Sequence, residues 1–463
     1  MATTFDMVQT EAAQAKRPLR VTAPVLALSA MALGLGATAI AGLLRVTAAG
    51  VALGGLAALL TGLVLVFAQR HLRADPRRLA HARLATGLAF ATVLVGLAEN
   101  VVLLAAGWIA AGRLMTGLVR HAGDWAEARA AAARAGTAFL IGDIALVGAL
   151  VTLAVSAKSA SIAAIAAAVP TLSPLALTLA AVLLVIAAAA RCATPPFSSW
   201  LLSSIAAPTP VSALMHAGFV NAGGFLVIHF APVLEAVPAA RFALLAIGVT
   251  GALYGSALML VRADVKGALA ASTVAQMGFM LLTCALGGYA AALWHMVAHG
   301  AFKAWLFLGA SGAIRRSAAG AGDKALPAPV PALIALAALG AGALIMETAI
   351  AQTTLLPLGL AATALLVALA MAARGLRFET ARITLLALPA LLVAVNAAAL
   401  ALMEAVQANA AVPLLPTWAQ LALLSLFLAG WLVQQDLAAG RRRLPAGLHA
   451  RLLHAGALPT PAN

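Results

Sequence analysis

Charge is what this sequence has least of. Asp, Glu, Lys and Arg make up 9% of its 463 residues, where a soluble domain carries about a quarter. A chain so poor in charge cannot clothe a globular surface in polar groups, so it must face lipid. Cysteine is nearly absent. Cys192 and Cys284 lie far apart in apolar runs, which argues against a disulfide framework or a zinc site within the chain. There is no Walker loop, dinucleotide fingerprint, haem or iron–sulfur spacing, or nucleophile elbow in a sensible context. No cofactor is therefore expected in this chain, and its role is expected to be ion translocation rather than catalysis. Aromatic residues are 5% of the chain. The net charge of +15 sits in short loops between apolar runs, so it reads as topogenic charge and not as a nucleic-acid surface. A cleavable signal peptide is not expected either, because about twenty polar residues precede the first apolar run.

What the chain has in abundance is apolar length. Runs of about 20 residues recur from end to end, each long enough to cross a bilayer. Backbone groups in lipid must be satisfied internally, so these runs are helices. Spans are expected near 22–44, 50–68, 84–98, 100–119, 136–156, 174–206 (broken), 211–231, 240–262, 267–287, 289–313, 329–350, 354–373, 383–403 and 415–435. Alternating them from a cytoplasmic N-terminus collects Arg70, Arg73, Arg77, Arg78 and Arg83 inside. Arg120, Arg129, Arg134, Arg262, Lys266, Arg315, Arg316, Lys324, Arg374, Arg377, Arg382 and Arg441 to Arg443 fall inside as well. Little beyond Arg45, Lys158 and Arg241 is left outside, as the positive-inside rule requires. The expectation is an all-α polytopic membrane protein of about fourteen spans. It has a cytoplasmic tail over 1–20, a transmembrane domain over 21–435 and a cytoplasmic tail over 436–463. The Ala- and Ser-rich stretch 157–173 reads as a short outer interfacial helix or loop.

Ionisable residues inside spans are rare and costly, which makes them candidates for an ion path. In HMVAHGAFK, His295, His299 and Lys303 recur every four residues. They stack on one helix face at about 6 Å per step. Histidine titrates near neutral pH, and a row of such groups can pass a proton. The alternative is that one histidine bonds a neighbouring helix while Lys303 snorkels. The segment RCATPPFSSWLLSSIAAPTPVSALMHAG places Arg191 before Pro195 and Pro196, and Pro208 and Pro210 before His216. Proline frees carbonyls, and broken helices at membrane depth line cavities or pack against protein. Arg191 can pair with an anion or set a local field, or it can reach the inner interface. Arg113 and Asp143 can form a buried pair, and Glu347 in LIMETAI is a possible further carboxylate. Asp264 and Lys266 read as anchors. His229 and Glu235 read as solvated groups near an outer end.

Several long motifs occur in order. APTPVSALMHAGFVNAGGFLVIHFAP, PPFSSW and VRADVKGALAASTVAQMGFMLLTCALGGYAAALWHMVAHGAFKAWLFLGASG resemble the antiporter-like proton-pumping subunits of respiratory complex I and of Mrp antiporters. HAGFVNAGGFL, STVAQMGFMLLTCALGGY and EARAAAARAGTAFLIGD resemble one branch more closely: the membrane subunit, DabB, of the two-component DAB systems for inorganic carbon. The resemblance covers roughly 60–315 and implies an antiporter-like fold with inverted repeats. It implies H+ or Na+ conduction in a bacterial inner membrane, coupled to a large cytoplasmic DabA-type partner. That partner is a zinc protein resembling β-carbonic anhydrases, which hydrates CO2 to bicarbonate. The alternative it carries is a pumping subunit of a respiratory, hydrogenase or Mrp complex. By the same resemblance His295, His299 and Lys303 match the central relay, His216 the histidine after the PTPVSAL turn, and Arg191 the position of a pumping lysine. Three departures stand out. The family's carboxylate after a tryptophan falls at Ile109, the acidic residue before the PTP turn at Ala206, and the histidine of the PFHSW-like motif at Ser198. The missing carboxylate favours the DAB branch over a respiratory pump.

Overall fold

The computed structural model describes residues 43–310, 329–345, 347, 351–375, 391, 394–407 and 412–456. The expected span at 22–44, most of the loop carrying Arg315, Arg316 and Lys324, and the first part of the span at 383–403 lie outside these residues. The first helices are α1 (Ala48–His71), α2 (Arg78–Leu97), α3 (Val101–Val119) and α4 (Ala126–Ala157). Next come α5 (Ile162–Ala168), α6 (Pro174–Arg191), α7 (Ser199–Ser203), α8 (Thr209–Ala217) and α9 (Ala222–His229). They are followed by α10 (Ala231–Glu235), α11 (Pro238–Met259), α12 (Val265–Ala285) and α13 (Tyr289–Ala310). The last are α14 (Pro329–Ile345), α15 (Ala351–Gly375), α16 (Ala394–Val406), α17 (Thr417–Ala438) and α18 (Ala446–Gly456).

Local chemistry sets the helix ends. Thr47, Asn100, Ser161, Ser173 and Asp264 cap α1, α3, α5, α6 and α12, each accepting from a backbone N–H in the first turn. Such caps satisfy donors that a helix start leaves orphaned. Asp264 is thus a cap, consistent with its anchoring role. Among the described residues nine helical segments are long and apolar enough to cross a membrane, counting α8 to α9 as one. The chain is a multi-pass membrane protein. α13 is 22 residues long but is not among the nine; it is the helix that carries His295, His299 and Lys303.

Contacts between loops sort the helix ends into two faces. On one face Arg77 pairs with Asp124, His121 Nε2 meets Asp75 Oδ2 at 2.8 Å, and Lys266 Nζ donates to the Ala207 carbonyl at 3.0 Å. Burial opposes ionisation of Asp75. The hydrogen bonds with His121 and the Arg77 amide, and the charges of both residues, outweigh it and hold the carboxyl below its usual range. On the other face the Ile162 N–H donates to the Glu99 carbonyl at 2.8 Å, and Arg241 Nη2 donates to the Val412 carbonyl at 2.8 Å. The long helices α1 to α4 and α11 to α13 run from one set to the other, whereas α6 stops short of the first face at buried Arg191.

At the second face Arg241 is buried, held by the carbonyls of Ala285 and Val412. One expectation is corrected there. His229 is not solvated: it is half-buried, stacked on Phe225 at 5.0 Å, with its Nε2 enclosed.

The expected break in 174–206 is present. α6 ends at Arg191, Ala193 adopts φ 55°, and a cis Pro195–Pro196 bond and the short α7 follow. The span through α8 and α9 is fully buried and is itself interrupted by a 3₁₀ turn at Phe219–Asn221. It forms the centre of the protein, against α1, α12 and α13.

Candidate functional site

Four basic groups meet on α13 and the broken span. The rings of His295 and His299 stack at 5.5 Å with 20° between their planes. His299 Nε2 lies 3.2 Å from the His216 carbonyl. A carbonyl only accepts, so this nitrogen carries the hydrogen, and in the neutral ring Nδ1 is bare. His216 Nδ1 lies 3.1 Å from Thr273 Oγ1, whose own hydrogen goes to the Leu269 carbonyl at 3.0 Å. The threonine oxygen is then the acceptor, so His216 carries a hydrogen on Nδ1, and in the neutral ring Nε2 is bare. The His216 ring stacks on Phe307 at 4.4 Å. Lys303 closes the row: its Nζ donates to the Leu269 carbonyl at 3.0 Å and to the Ser272 hydroxyl. Lys303 is 2% exposed, and its two hydrogen-bond partners are neutral oxygens. His299, His216 and Lys303 therefore form one hydrogen-bonded unit across α13, α8 and α12, with His295 stacked at its end.

The second cluster surrounds Arg191, which is 2% exposed and does not reach the interface. Its guanidinium carbon sits 3.9 Å over the Trp108 ring, 4.4 Å from Phe219 and 5.4 Å from Phe139. Aromatic faces attract a cation through their quadrupoles. Arg191 also donates to the Trp108 carbonyl at 3.2 Å and lies 3.6 Å from Asp143 Oδ1. The expected pair forms as well, with Arg113 Nη2 at 2.6 Å from Asp143 Oδ2. One buried carboxylate on α4 thus serves two guanidiniums. Asp143, on the helix after the one that carries Ile109, is the carboxylate that faces Arg191, a relation that sequence spacing did not reveal. Phe219 follows His216 by three residues, so the broken span touches both clusters.

Two cavities open onto the row. One, of about 630 Å³, is lined by His295, His299, Lys303, Ser272 and Ser256. The other, of about 710 Å³, lies among α11, α12, α15 and α17 and also reaches His295. Glu347 is exposed beyond the end of α14 and lines neither cavity. Lys266 holds the Ala207 carbonyl that precedes Pro208. Sequence reading missed Thr273, Ser272, the aromatic cage and the polar cavity walls. The only signal for them was a polar or aromatic residue in an apolar helix. Among the described residues no group of His, Cys, Asp and Glu is arranged to hold a metal.

The bundle, its broken central span and the buried basic row have an antiporter-like membrane architecture. Residues 98–326, just under half of the chain, match the family described as NADH:quinone oxidoreductase/Mrp antiporter, TM. The chain is 46% identical over 144 residues to the probable inorganic carbon transporter subunit DabB1 of Halothiobacillus neapolitanus, covering 31% of this chain and 26% of that one. It is 48% identical over 134 residues to the probable inorganic carbon transporter subunit DabB of Bacillus subtilis, covering 29% of this chain and 26% of that one. With NADH-quinone oxidoreductase subunit L of Mycobacterium tuberculosis it shares 38% identity over 260 residues, 54% of this chain and 40% of that one. The matches thus span a quarter to two fifths of these relatives' own length. A chain in the structure of the Mrp complex from Dietzia sp. has the same fold, with a TM-score of 0.62 over 97% of this chain and 57% of that one, at 20% identity.

Proposed function

We propose that this chain is the proton-conducting membrane subunit of an energy-coupled uptake system for inorganic carbon. The observation that carries the reading is the buried row His295, His299, His216 and Lys303. In it each of His299 and His216 presents one bare ring nitrogen and one N–H. A proton taken up at the bare nitrogen and released from the other passes along such a row by exchange of tautomers. The polar groups of the row and its cavity are basic side chains, hydroxyls and neutral amides. That donor set suits a proton better than a desolvated metal cation, which Lys303 would repel. The DabB relatives support a role in inorganic carbon transport. The partner is then a large cytoplasmic zinc-binding subunit resembling carbonic anhydrases, paired with this chain as a heterodimer. The site of action is the bacterial inner membrane, with both termini in the cytoplasm.

The test is bicarbonate accumulation by the reconstituted pair. Lys303→Ala is expected to reduce uptake at least tenfold while the complex stays intact. Undiminished uptake overturns the relay. The 38% identity to subunit L favours a second reading, a pumping subunit of a respiratory, hydrogenase or Mrp complex. Co-purification decides between them. A zinc protein alone supports carbon uptake, whereas flavin or iron–sulfur subunits support the second reading.

A further inference from the structure

The two cavities beside the row share part of their walls. Ser256, Ala275, Gln276, His295 and Gln434 line both. These five residues form a neck where the space around Lys303 meets the space beneath α15 and α17. Four of them are polar, and the rest of the larger cavity's wall is apolar apart from Thr363 and the Trp431 indole. His295 Nε2 is enclosed at this neck and has no hydrogen-bond partner among the described residues. A buried nitrogen in that state is costly unless a water meets it. Each cavity far exceeds the ~15 Å³ that one water needs, and water settles where a roomy site offers several polar partners. Ser256, Gln276 and Gln434 are such partners. Gln434 comes from α17, well outside the stretch that matches the antiporter family. Ser256 and Gln434 lie in the last turns of α11 and α17, near the face where Lys266 meets Ala207.

We propose that Gln434, with Gln276 and Ser256, holds a file of water that carries protons between the Lys266 face and His295. The C-terminal helix α17 thereby completes the path, and Gln434 acts as a positioning residue for water. The inference rests on the proton-conduction reading, and its test separates the two.

Two measurements on the full-length chain in lipid vesicles test it. In the first, a Ser256→Cys variant is exposed to a small, charged, membrane-impermeant thiol reagent. Cys192 and Cys284 are buried and give little background. Labelling is expected, and adding Gln434→Leu is expected to slow it about tenfold. An unreactive Ser256→Cys means that lipid chains or protein fill the cavity, and it overturns the proposal. In the second, proton uptake driven by a potassium diffusion potential is followed with an internal pH dye. Gln434→Leu and Gln276→Leu are each expected to cut the rate about tenfold, and Gln434→Asn to restore most of it. Wild-type rates in both Leu variants overturn the proposal even where labelling succeeds. Labelling of Ser256→Cys, together with vesicles of the unsubstituted chain that conduct no better than empty ones, overturns proton conduction, and with it the proton-carrying file, while the hydrated neck stands.

Discussion

At the scale of single residues, Asp143 shows how one side chain fixes two others. Its Oδ2 holds Arg113 and its Oδ1 faces Arg191 without a hydrogen bond of its own. Removing that anion leaves Arg191 caged by aromatic faces and without a counter-charge. Breaking a buried pair by deleting one partner costs ~3–5 kcal/mol, whereas deleting both can be nearly neutral. Asp143→Asn is therefore expected to lower the thermal midpoint of the detergent-solubilised protein sharply. Adding Arg191→Gln should recover much of the loss. A double variant that melts no higher than Asp143→Asn would show that the two do not interact. The Arg113–Asp143 pair was legible in the sequence, because two opposite charges in adjacent apolar spans have little choice but to meet. The third member was not. Arg191 reaches Asp143 only because α6 packs along α4, and no spacing rule encodes which helices become neighbours. The same limit hid Thr273, whose hydroxyl sets the tautomer of His216.

At the scale of elements, close helix contact matters more than side-chain volume. Lipid gives helices no hydrophobic reason to associate, so small residues let backbones approach. Gly278 on α12 is one such place: a Cβ there would lie 2.4 Å from the Ala252 nitrogen of α11. Gly300 bears more on the proposed relay, since it sits between His299 and Lys303 on α13. A Cβ at Gly300 would lie 2.7 Å from the Ala217 carbonyl and 2.6 Å from Leu56 Cδ2. A leucine tip can move aside, but a helix carbonyl cannot. Gly300→Val is expected to push α13 away from α8 and to part His299 Nε2 from the His216 carbonyl. The cost of such overpacking is ~1–3 kcal/mol, with a loss of proton uptake larger than that destabilisation explains. Gly300→Ala should fall between the two. Wild-type conduction in the valine variant would mean that the α8–α13 contact does not hold the relay. The periodicity of His295, His299 and Lys303 revealed the helix face in advance. The partner of that face, a broken span whose prolines free the Ala207 carbonyl for Lys266, was legible only as a break.

At the scale of the whole molecule, hydropathy and loop charge located the spans, because both are properties of a segment alone. Helices appear within every expected span from the second to the fourteenth, although α13 carries too many ionisable groups to stand out by hydropathy. The packing of α14 to α17 against the rest, and hence the neck that Gln434 completes, depends on contacts between remote segments and left no local signature. The two-faced arrangement makes a prediction that concerns the molecule as a unit. Arg77, Asp124 and Lys266 lie on one face, and Glu99, Arg241 and Val412 on the other. The arginine-rich loops should be retained in the cytoplasm. A fluorescent reporter that matures only in the cytoplasm is therefore expected to light up when fused after Asp124 and to stay dark when fused after Ser159. A reporter active only outside should give the opposite pattern. If both fusions glow, one of the helices between them does not cross the bilayer, and α4 is the one at stake. It is 32 residues long, which exceeds the ~20 that a bilayer needs, so its surplus turns must project from the Arg129 end or tilt within the membrane. The reporter pair thus tests the span that carries Asp143 to the depth of Arg191.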